Sequence, residues 1–395
     1  MAGKQEKVVV AMSGGVDSSV AASLLVEQGY DVMGLFMRVG ASELHEAPDT
    51  PEDRGGRPHQ GCCSAADAAD ARFVAGMLGI PFYALNFQAD FDRIIDYFAA
   101  EYARGRTPNP CVVCNDRLKF GKVADYADAV GAKWIATGHY ARIATRGGRR
   151  VLCRGRDERK DQSYVLFGLG PSILDRALFP IGELTKAEVR RIAADRGFPN
   201  HDKPDSVEIC FVPDRDYARV VKVRRPEVFK AGAVVDEGGR VLGEHRGIAH
   251  YTIGQRRGLG IATGTPIYVT QVHADENTVV VGSYDALLAP GLLADRANFS
   301  GGVDVDVFRA EVKIRYLHRA AAATVYRLDG GRVRVVFDSP QRAVTPGQAV
   351  VFYDGDIVLG GAWIEREERE SVAEIGAVRS DDPRCEPVED MLTQA

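Results

Sequence analysis

Apolar positions in the first half of the chain follow two alternating rhythms. Val8-Val9-Val10-Ala11-Met12 is an unbroken apolar run, the form a parallel strand takes when helices cover both its faces. A glycine-rich turn separates it from a helical pattern over residues 18–28, which Gly29 ends, and a second apolar run occupies 32–39. Helical patterns return at 64–78, 90–102 and 118–130, with strand-like runs at 82–87 and 134–137. Thr185-Lys186-Ala187-Glu188 has the Thr/Glu spacing of a capping box and opens a helix that Gly197 stops. Strands alternating with helices in this way predict an α/β domain built on a parallel sheet.

Past residue 213 the rhythm changes. Short β-rich runs bounded by glycine occupy 269–272, 278–281, 310–315, 332–337 and 349–353, which predicts small antiparallel or barrel-like domains. The expected organisation is therefore an α/β domain over 1–213, a central β-rich domain over 214–290 and a C-terminal barrel-like domain over 291–364. Residues 40–60 carry Pro, Gly, Asp and His without periodicity and are expected to be a loop. Between 365 and 390 there are ten acidic and four basic residues with few apolar ones, so 365–395 is expected to be a disordered acidic tail. No internal repeat is present.

Composition narrows the function classes. The chain has 395 residues, 45% of them hydrophobic and 27% charged, which excludes wholesale disorder. No apolar run reaches the roughly 18 residues of a membrane span, and the N-terminus lacks a signal-peptide pattern, so a cytoplasmic protein with no membrane partner is expected. The net charge of −5 argues against a general nucleic-acid coater and leaves any such contact to local patches. One candidate patch spans 142–160, with eight Arg or Lys against two acids; Arg219, Lys222, Arg224 and Arg225 make a second. A charge run is ordinarily a solvated face. Seven cysteines (Cys62, Cys63, Cys111, Cys114, Cys153, Cys210 and Cys385) are an odd number spread over a long chain, which is no disulfide framework. Cys153, Cys62 and Cys63 read as buried small hydrophobes, Cys385 as incidental.

The sharpest motif is Ser13-Gly14-Gly15-Val16-Asp17-Ser18-Ser19, between the first strand and the first helix. Two glycines let the backbone turn tightly and present N–H groups to an anion, and the serines and helix N-terminus add donors. Asp17 is a candidate holder of a nucleotide's Mg²⁺. The plainer alternative is a glycine turn with Ser and Asp caps. It is neither a Gly-x₄-Gly-Lys-Ser/Thr loop nor a Gly-x-Gly-x-x-Gly fingerprint. Ser-Gly-Gly-x-Asp-Ser resembles the PP-loop of the N-type ATP pyrophosphatases, which split ATP into AMP and pyrophosphate while adenylating a substrate oxygen.

Four further segments narrow the resemblance. They are Thr107-Pro108-Asn109-Pro110-Cys111-Val112-Val113-Cys114-Asn115 with Lys119-Phe120-Gly121, Ala136-Thr137-Gly138-His139-Tyr140, Lys160-Asp161-Gln162-Ser163-Tyr164 and Asp205-Ser206-Val207-Glu208-Ile209-Cys210-Phe211. With the PP-loop and Gly34-Leu35-Phe36-Met37, this set resembles the bacterial tRNA-specific 2-thiouridylase family from about residue 8 to 364. The resemblance implies a PP-loop Rossmann-like domain followed by two β-rich domains. It implies ATP on Ala11, Met12, Ser13, Gly14, Gly15, Val16, Asp17 and Ser18, with Met37 and Gly138 near the adenosine. It also implies that Cys114 is the nucleophile, that Cys210 carries a persulfide, and that Asn109, Pro110 and Cys111 meet the target base. Contacts to tRNA fall on His139, Lys160, Asp161, Gln162, Arg315, Tyr316 and, on a short Gly-Gln match, Gln348. Without the family, a lone His or Gln would read as surface.

Replacing a uracil C2 oxygen by sulfur needs an activated oxygen and a sulfur nucleophile, which adenylation and a cysteine persulfide supply; a second thiol then resolves the carrier. The implied product is 2-thiouridine at the wobble position of tRNAs for Lys, Glu and Gln, with sulfur loaded by a cysteine desulfurase or a relay protein. Cys111 departs from relatives that carry Asp there. Three-cysteine relatives leave open a [4Fe–4S] cluster on Cys111, Cys114 and Cys210 instead of a thiol relay. Cys111-x-x-Cys114 lacks the partner pair of a zinc site. Two other classes stay open: a PP-loop ligase or amidotransferase acting on a small molecule, and a non-catalytic tRNA-binding protein.

Overall fold

The computed structural model describes residues 5–40, 64–205, 209–212 and 214–365. Cys62, Cys63, Cys385, the expected loop beyond Gly40 and the expected tail beyond Glu365 lie outside the described residues. The chain divides into two compact units, one made of residues up to 95 with 110–216, the other of 96–109 with 217 onward.

The first unit runs β1 (Lys7–Ala11), α1 (Val16–Glu27), β2 (Asp31–Arg38), α2 (Ala65–Leu78), β3 (Phe82–Asn86) and α3 (Gln88–Ala103), whose C-terminal half belongs to the second unit. It continues with α4 (Pro110–Val113), a π-helical stretch Cys114–Lys122, α5 (Val123–Ala129), β4 (Trp134–Thr137), the hairpin β5 (Ala141–Arg146) and β6 (Arg149–Arg154), α6 (Pro171–Leu174), β7 (Ala177–Leu178) and α7 (Lys186–Asp195). The sheet order β3-β2-β1-β4-β7 is parallel throughout, as the alternation predicts. Val8, Val9 and Val10 are all fully buried, the signature of a strand covered on both faces. Val8 and Val10 pack with Val16 and Val20 of α1, Val74 of α2 and Val189 of α7 in one apolar cluster.

One expectation is corrected. The pattern over 118–130 is only the second part of a helical segment that starts at Pro110, and from Cys114 to Lys122 that segment is π-helical. Pro110 suits a first helical turn because it needs no amide donor there. A nine-residue π stretch is long for a form that mostly occurs as single-turn bulges at functional sites.

The second unit carries α8 (Tyr217–Arg224) and a four-stranded sheet of order β10-β11-β8-β9, built from β8 (Gly232–Asp236), β9 (Val241–His245), β10 (Tyr268–His273) and β11 (Thr278–Gly282). Six antiparallel strands follow: β12 (Leu288–Asn298), β13 (Val307–Lys313), β14 (Ala321–Leu328), β15 (Arg332–Arg342), β16 (Ala349–Asp354) and β17 (Ile357–Ile364). They run in the order β12-β15-β14-β13-β16-β17, and β12 pairs with β17 to close a barrel. Its interior is apolar, with Phe308, Phe352, Val325, Val335 and Leu359 fully buried. Among the described residues no helix is long and apolar enough to cross a membrane.

Candidate active site

The strand order reverses at β1, since β2 lies on one side of it and β4 on the other. In open parallel sheets that reversal leaves a crevice at the strands' carboxyl ends, where ligands bind. Residues 12–18 follow β1 there, Gly138 follows β4, and Met37 is the last residue but one of β2. The register brings them together: Ala11 pairs with Thr137 and with Leu35, and Met12 N donates to Leu35 O at 2.8 Å. Gly138 must be glycine, because a Cβ there would stand 2.6 Å from Ser18 N and 2.7 Å from Asp17 C.

The glycine loop is held so that its donors face the crevice. Gly14 has φ +77, and a Cβ on it would fall 2.2 Å from the carbonyl oxygen of Asp67. Its own carbonyl accepts from Asn200 Nδ2 at 3.0 Å and Lys203 Nζ at 3.2 Å. Those two bonds turn the carbonyl away from the crevice. Gly15 is the N-cap of α1 and supplies no side-chain cap, leaving the first-turn N–H groups for an anion. Ser18 and Ser19 hydroxyls both donate to Gly15 O, and Ser18 Oγ also accepts from Ser13 N. Asp67 works three ways: it completes the Ser64 capping box of α2, pairs with Lys203 at 2.6 Å, and sets its main chain against Gly14.

The carboxylate of Asp17 accepts from Tyr140 Oη at 2.7 Å and from Lys186 Nζ at 2.8 and 2.9 Å. Lys186 is the first residue of α7, placed there by the Thr185–Glu188 capping box the sequence displays. It also meets Asp205 at 2.7 Å, and Asp205 further holds Lys160 at 2.6 Å and Arg190 at 3.2 Å. Burial alone raises the Asp205 carboxyl, but the Lys160 and Lys186 ammonium groups outweigh it and bring its pKa down to about 2. Burial and the neighbouring Asp17 carboxylate push the Tyr140 phenol far up, so it stays a donor. Mg²⁺ bound with a nucleotide keeps most of its ligands as phosphate oxygens and water. The chain's share would be the Asp17 carboxylate, which here is neutralised by Lys186.

Lys160-Asp161-Gln162 is clipped to the end of β4. Gln162 Oε1 accepts from Tyr140 N, and Gln162 N donates to Tyr140 O, each at 2.9 Å. Asp161 is buried and accepts from Gly155 N, Ser163 N and the Ser163 hydroxyl. His139, which the resemblance assigns to tRNA, is buried: its Nδ1 lies 2.8 Å from Thr137 Oγ1 and its ring packs near Phe120 and Phe179. Burial, helped by the Lys119 charge, holds its pKa well below the ordinary histidine value, so the ring is neutral. The basic run over 142–160 is also partly internal, because Arg142 donates to Arg154 O and Arg150 to the carbonyls of Leu174 and Ala177.

Cys111 is exposed on α4, and Cys114, half-buried, begins the π-helical stretch. Asn115 anchors the stretch by donating to Val165 O at 3.0 Å. Cys210, also half-buried, sits in the tight turn closed by Val212 N to Ile209 O, which Phe211 fixes edge-on against Phe91. Cys153 is buried, as its sequence reading holds. Among the described residues no three Cys, His, Asp or Glu side chains are grouped to hold a metal ion. Cys111, Cys114 and Cys210 are accordingly not gathered there into a three-thiol ligand set of the kind an iron–sulfur cluster takes.

Within the second unit, Gln348 Nε2 donates to the carbonyls of Thr107 (2.9 Å) and Pro108 (3.2 Å), fixing the segment that leads to Asn109. Arg315 donates to Arg342 O at 3.1 Å, and Tyr316 lies beside Lys313. Sequence reasoning missed Tyr140, Asn200, Lys203 and the pairing role of Lys186. Only the capping box pointed at Lys186, and it announced a helix start, not a partner for Asp17.

Comparison with known proteins gives three family matches. Residues 6–214 match the tRNA methyl transferase HUP domain, 222–283 the tRNA methyl transferase PRC-barrel domain, and 290–364 the aminomethyltransferase beta-barrel domain. The tRNA-specific 2-thiouridylase MnmA of Carboxydothermus hydrogenoformans is 48% identical over 366 residues, covering 92% of this chain and 98% of that protein. The protein of the same name from Rhodopirellula baltica is 48% identical over 383 residues, covering 91% and 96%. Among solved structures, a 4-thiouridine synthetase–RNA complex with bound ATP matches at 15% identity and a TM-score of 0.35, covering 56% of this chain and 54% of that one.

Proposed function

The chain belongs to the tRNA-specific 2-thiouridylase MnmA family and is a tRNA sulfurtransferase, and from that premise we propose that it thiolates C2 of the wobble uridine in tRNAs for Lys, Glu and Gln. The C2 oxygen attacks the α-phosphorus of ATP and pyrophosphate leaves. The terminal sulfur of a Cys210 persulfide then adds at C2, and AMP departs with the oxygen. Cys114 thiolate attacks the Cys210 sulfur of the remaining S–S bond, which leaves both electrons with the sulfur now on the base. A disulfide joins the two cysteines until a dithiol reductant opens it. A cysteine desulfurase, directly or through a relay protein, reloads Cys210.

The observation that carries this reading is the crevice at the β1/β4 reversal. There the α1 N-terminus, with the preceding Gly14 carbonyl held by Asn200 and Lys203, offers N–H groups where a polyphosphate would lie. Lys186 and Lys160 lie beside it, ready to neutralise the charge that builds as pyrophosphate leaves. Tyr140, held protonated, donates to Asp17 there without adding charge. A ligase working on a small molecule would leave Cys114 and Cys210 without a role.

Incubation with ATP, a sulfane-sulfur donor and unmodified tRNA, followed by mass spectrometry of digested nucleosides, tests the reading. The expected products are 2-thiouridine confined to the wobble position and stoichiometric AMP. AMP without a thiolated nucleoside would overturn it.

A further inference from the structure

The stretch between β9 and β10 contains a feature that thiolation chemistry does not use. No acidic residue occurs between Glu244 and Asp275, yet Arg246, Arg256 and Arg257 lie in that interval, all exposed. Arg256 and Arg257 have no carboxylate within ion-pair distance among the described residues. An adjacent arginine pair left without a counter-charge is a ready anion receptor.

The turn that carries them is built rigidly. Gln255 N donates to Thr252 O at 2.9 Å, Thr252 N donates to Gln255 Oε1 at 3.0 Å, and Gln255 Nε2 donates to Arg257 O at 3.0 Å. On the other side Val269 N donates to Gln255 O and Gly254 N to Val269 O, fastening the turn to β10. Leu259 is buried in the core of this sheet with Val234, Val269 and Val281, so the loop is pinned at both ends of the arginine pair. Gly254, Gly258, Gly260 and Gly264 all have positive φ, which keeps the chain curved around a concavity lined by Arg256, Gly258, Gly260, Thr263 and Thr265. Among the described residues, no main-chain N–H from Arg256 to Thr265 is engaged in a hydrogen bond within the chain. Curved, unengaged amides beside two exposed guanidinium groups without a counter-charge have the form of an anion-binding concavity.

We propose that the loop over residues 255–265 is a backbone clamp for the RNA substrate, in which Arg256 and Arg257 hold phosphodiester groups away from the reacting base. The proposal rests on the tRNA reading above. The site is open and carries its charge on forked side chains with backbone donors between them, which suits successive phosphates of a polyanion and reads no base.

The test is Arg256→Ala/Arg257→Ala in the full chain, with Arg256→Lys/Arg257→Lys beside it. For the alanine variant, the Kd for unmodified tRNA should rise roughly tenfold and the slope of log Kd against log salt should flatten by about 2, one unit per lost phosphate contact. The lysine variant should keep most of the slope. The KM for ATP and the melting midpoint should hold in both, since both side chains are exposed. Unchanged tRNA affinity and slope in the alanine variant overturn the clamp, provided the wild type thiolates tRNA. A raised KM for ATP with unchanged tRNA affinity also overturns it, by making the loop a nucleotide site. If the wild type neither binds nor thiolates tRNA, the functional reading itself fails, and the clamp with it.

Discussion

Lys186 Nζ stands 2.8 and 2.9 Å from the two carboxylate oxygens of Asp17, 169 residues away in the chain. The same ammonium meets Asp205, so one lysine ties the start of α1 to the start of α7 and to the segment approaching Cys210. This lysine is largely enclosed, with 12% of its side chain exposed, against 31% for Asp17 and 24% for Asp205. It therefore neutralises two carboxylates that border the proposed phosphate crevice.

Lys186→Met leaves Asp17 and Asp205 facing the crevice with one counter-charge fewer. AMP formation should fall by at least about a hundredfold, the scale on which removing one charged stabiliser acts. Lys186→Arg should restore part of it, because charge matters more than shape at this junction. Pyrophosphate release at saturating tRNA measures both. Near-normal release from Lys186→Met would show that the pair is only structural.

Gly138→Ala places a methyl against main-chain atoms of Asp17 and Ser18, which have no flexible end to move aside. The expected cost is about 1–3 kcal/mol of stability, with a raised KM for ATP. Gly76→Ala is the control, since nothing lies within 4 Å of a Cβ there and its φ is ordinary. Denaturant midpoints and ATP titrations on the two variants make the comparison.

His139 has a folded-state pKa held well below its value in the unfolded chain, first by burial and then by Lys119. Below a pH of about 6.5 the unfolded state takes up a proton that the folded state refuses. Stability from this group is therefore full above that pH and declines as pH falls toward the depressed folded value. Asp205 acts in a lower window, losing its contribution as pH drops from about 4 toward 2. Urea midpoints at pH 7.5 and 5.5 should show a smaller acid loss in His139→Phe than in the wild type.

Cys210→Ser should abolish 2-thiouridine while adenylation and pyrophosphate release persist, because a hydroxyl cannot carry sulfane sulfur. Cys114→Ser should stall after the sulfur has reached the base, leaving Cys210 without its resolving partner. Intact-mass analysis of protein and tRNA after one turnover separates the two arrests. Thiolated product from Cys210→Ser would remove Cys210 as the carrier.

Much of this was legible along the chain. The apolar run at Val8, Val9 and Val10 announced a strand buried on both faces, Gly14-Gly15 announced the turn, and Thr185 with Glu188 announced α7, because each signal is local. The helical segment at Pro110 was harder. Its apolar period appears only after Leu118, and i→i+5 bonding from Cys114 blurs the 3.6-residue rhythm on which a helix is recognised.

What the sequence by itself determined was therefore the local vocabulary: the elements, the phosphate-type loop and the cysteine-bearing segments, all set by backbone propensity and short-range spacing. Only the tertiary structure decided that Lys186 would answer Asp17, that Asn200 and Lys203 would turn the Gly14 carbonyl aside, and that His139 would be buried and neutral. Arg142 and Arg150 make the same point: identical in sequence to solvated arginines, they end on main-chain carbonyls of Arg154 and Leu174. Partner choice and desolvation depend on which strands lie side by side, and the order β3-β2-β1-β4-β7 comes from long-range pairing that no window of neighbouring residues contains.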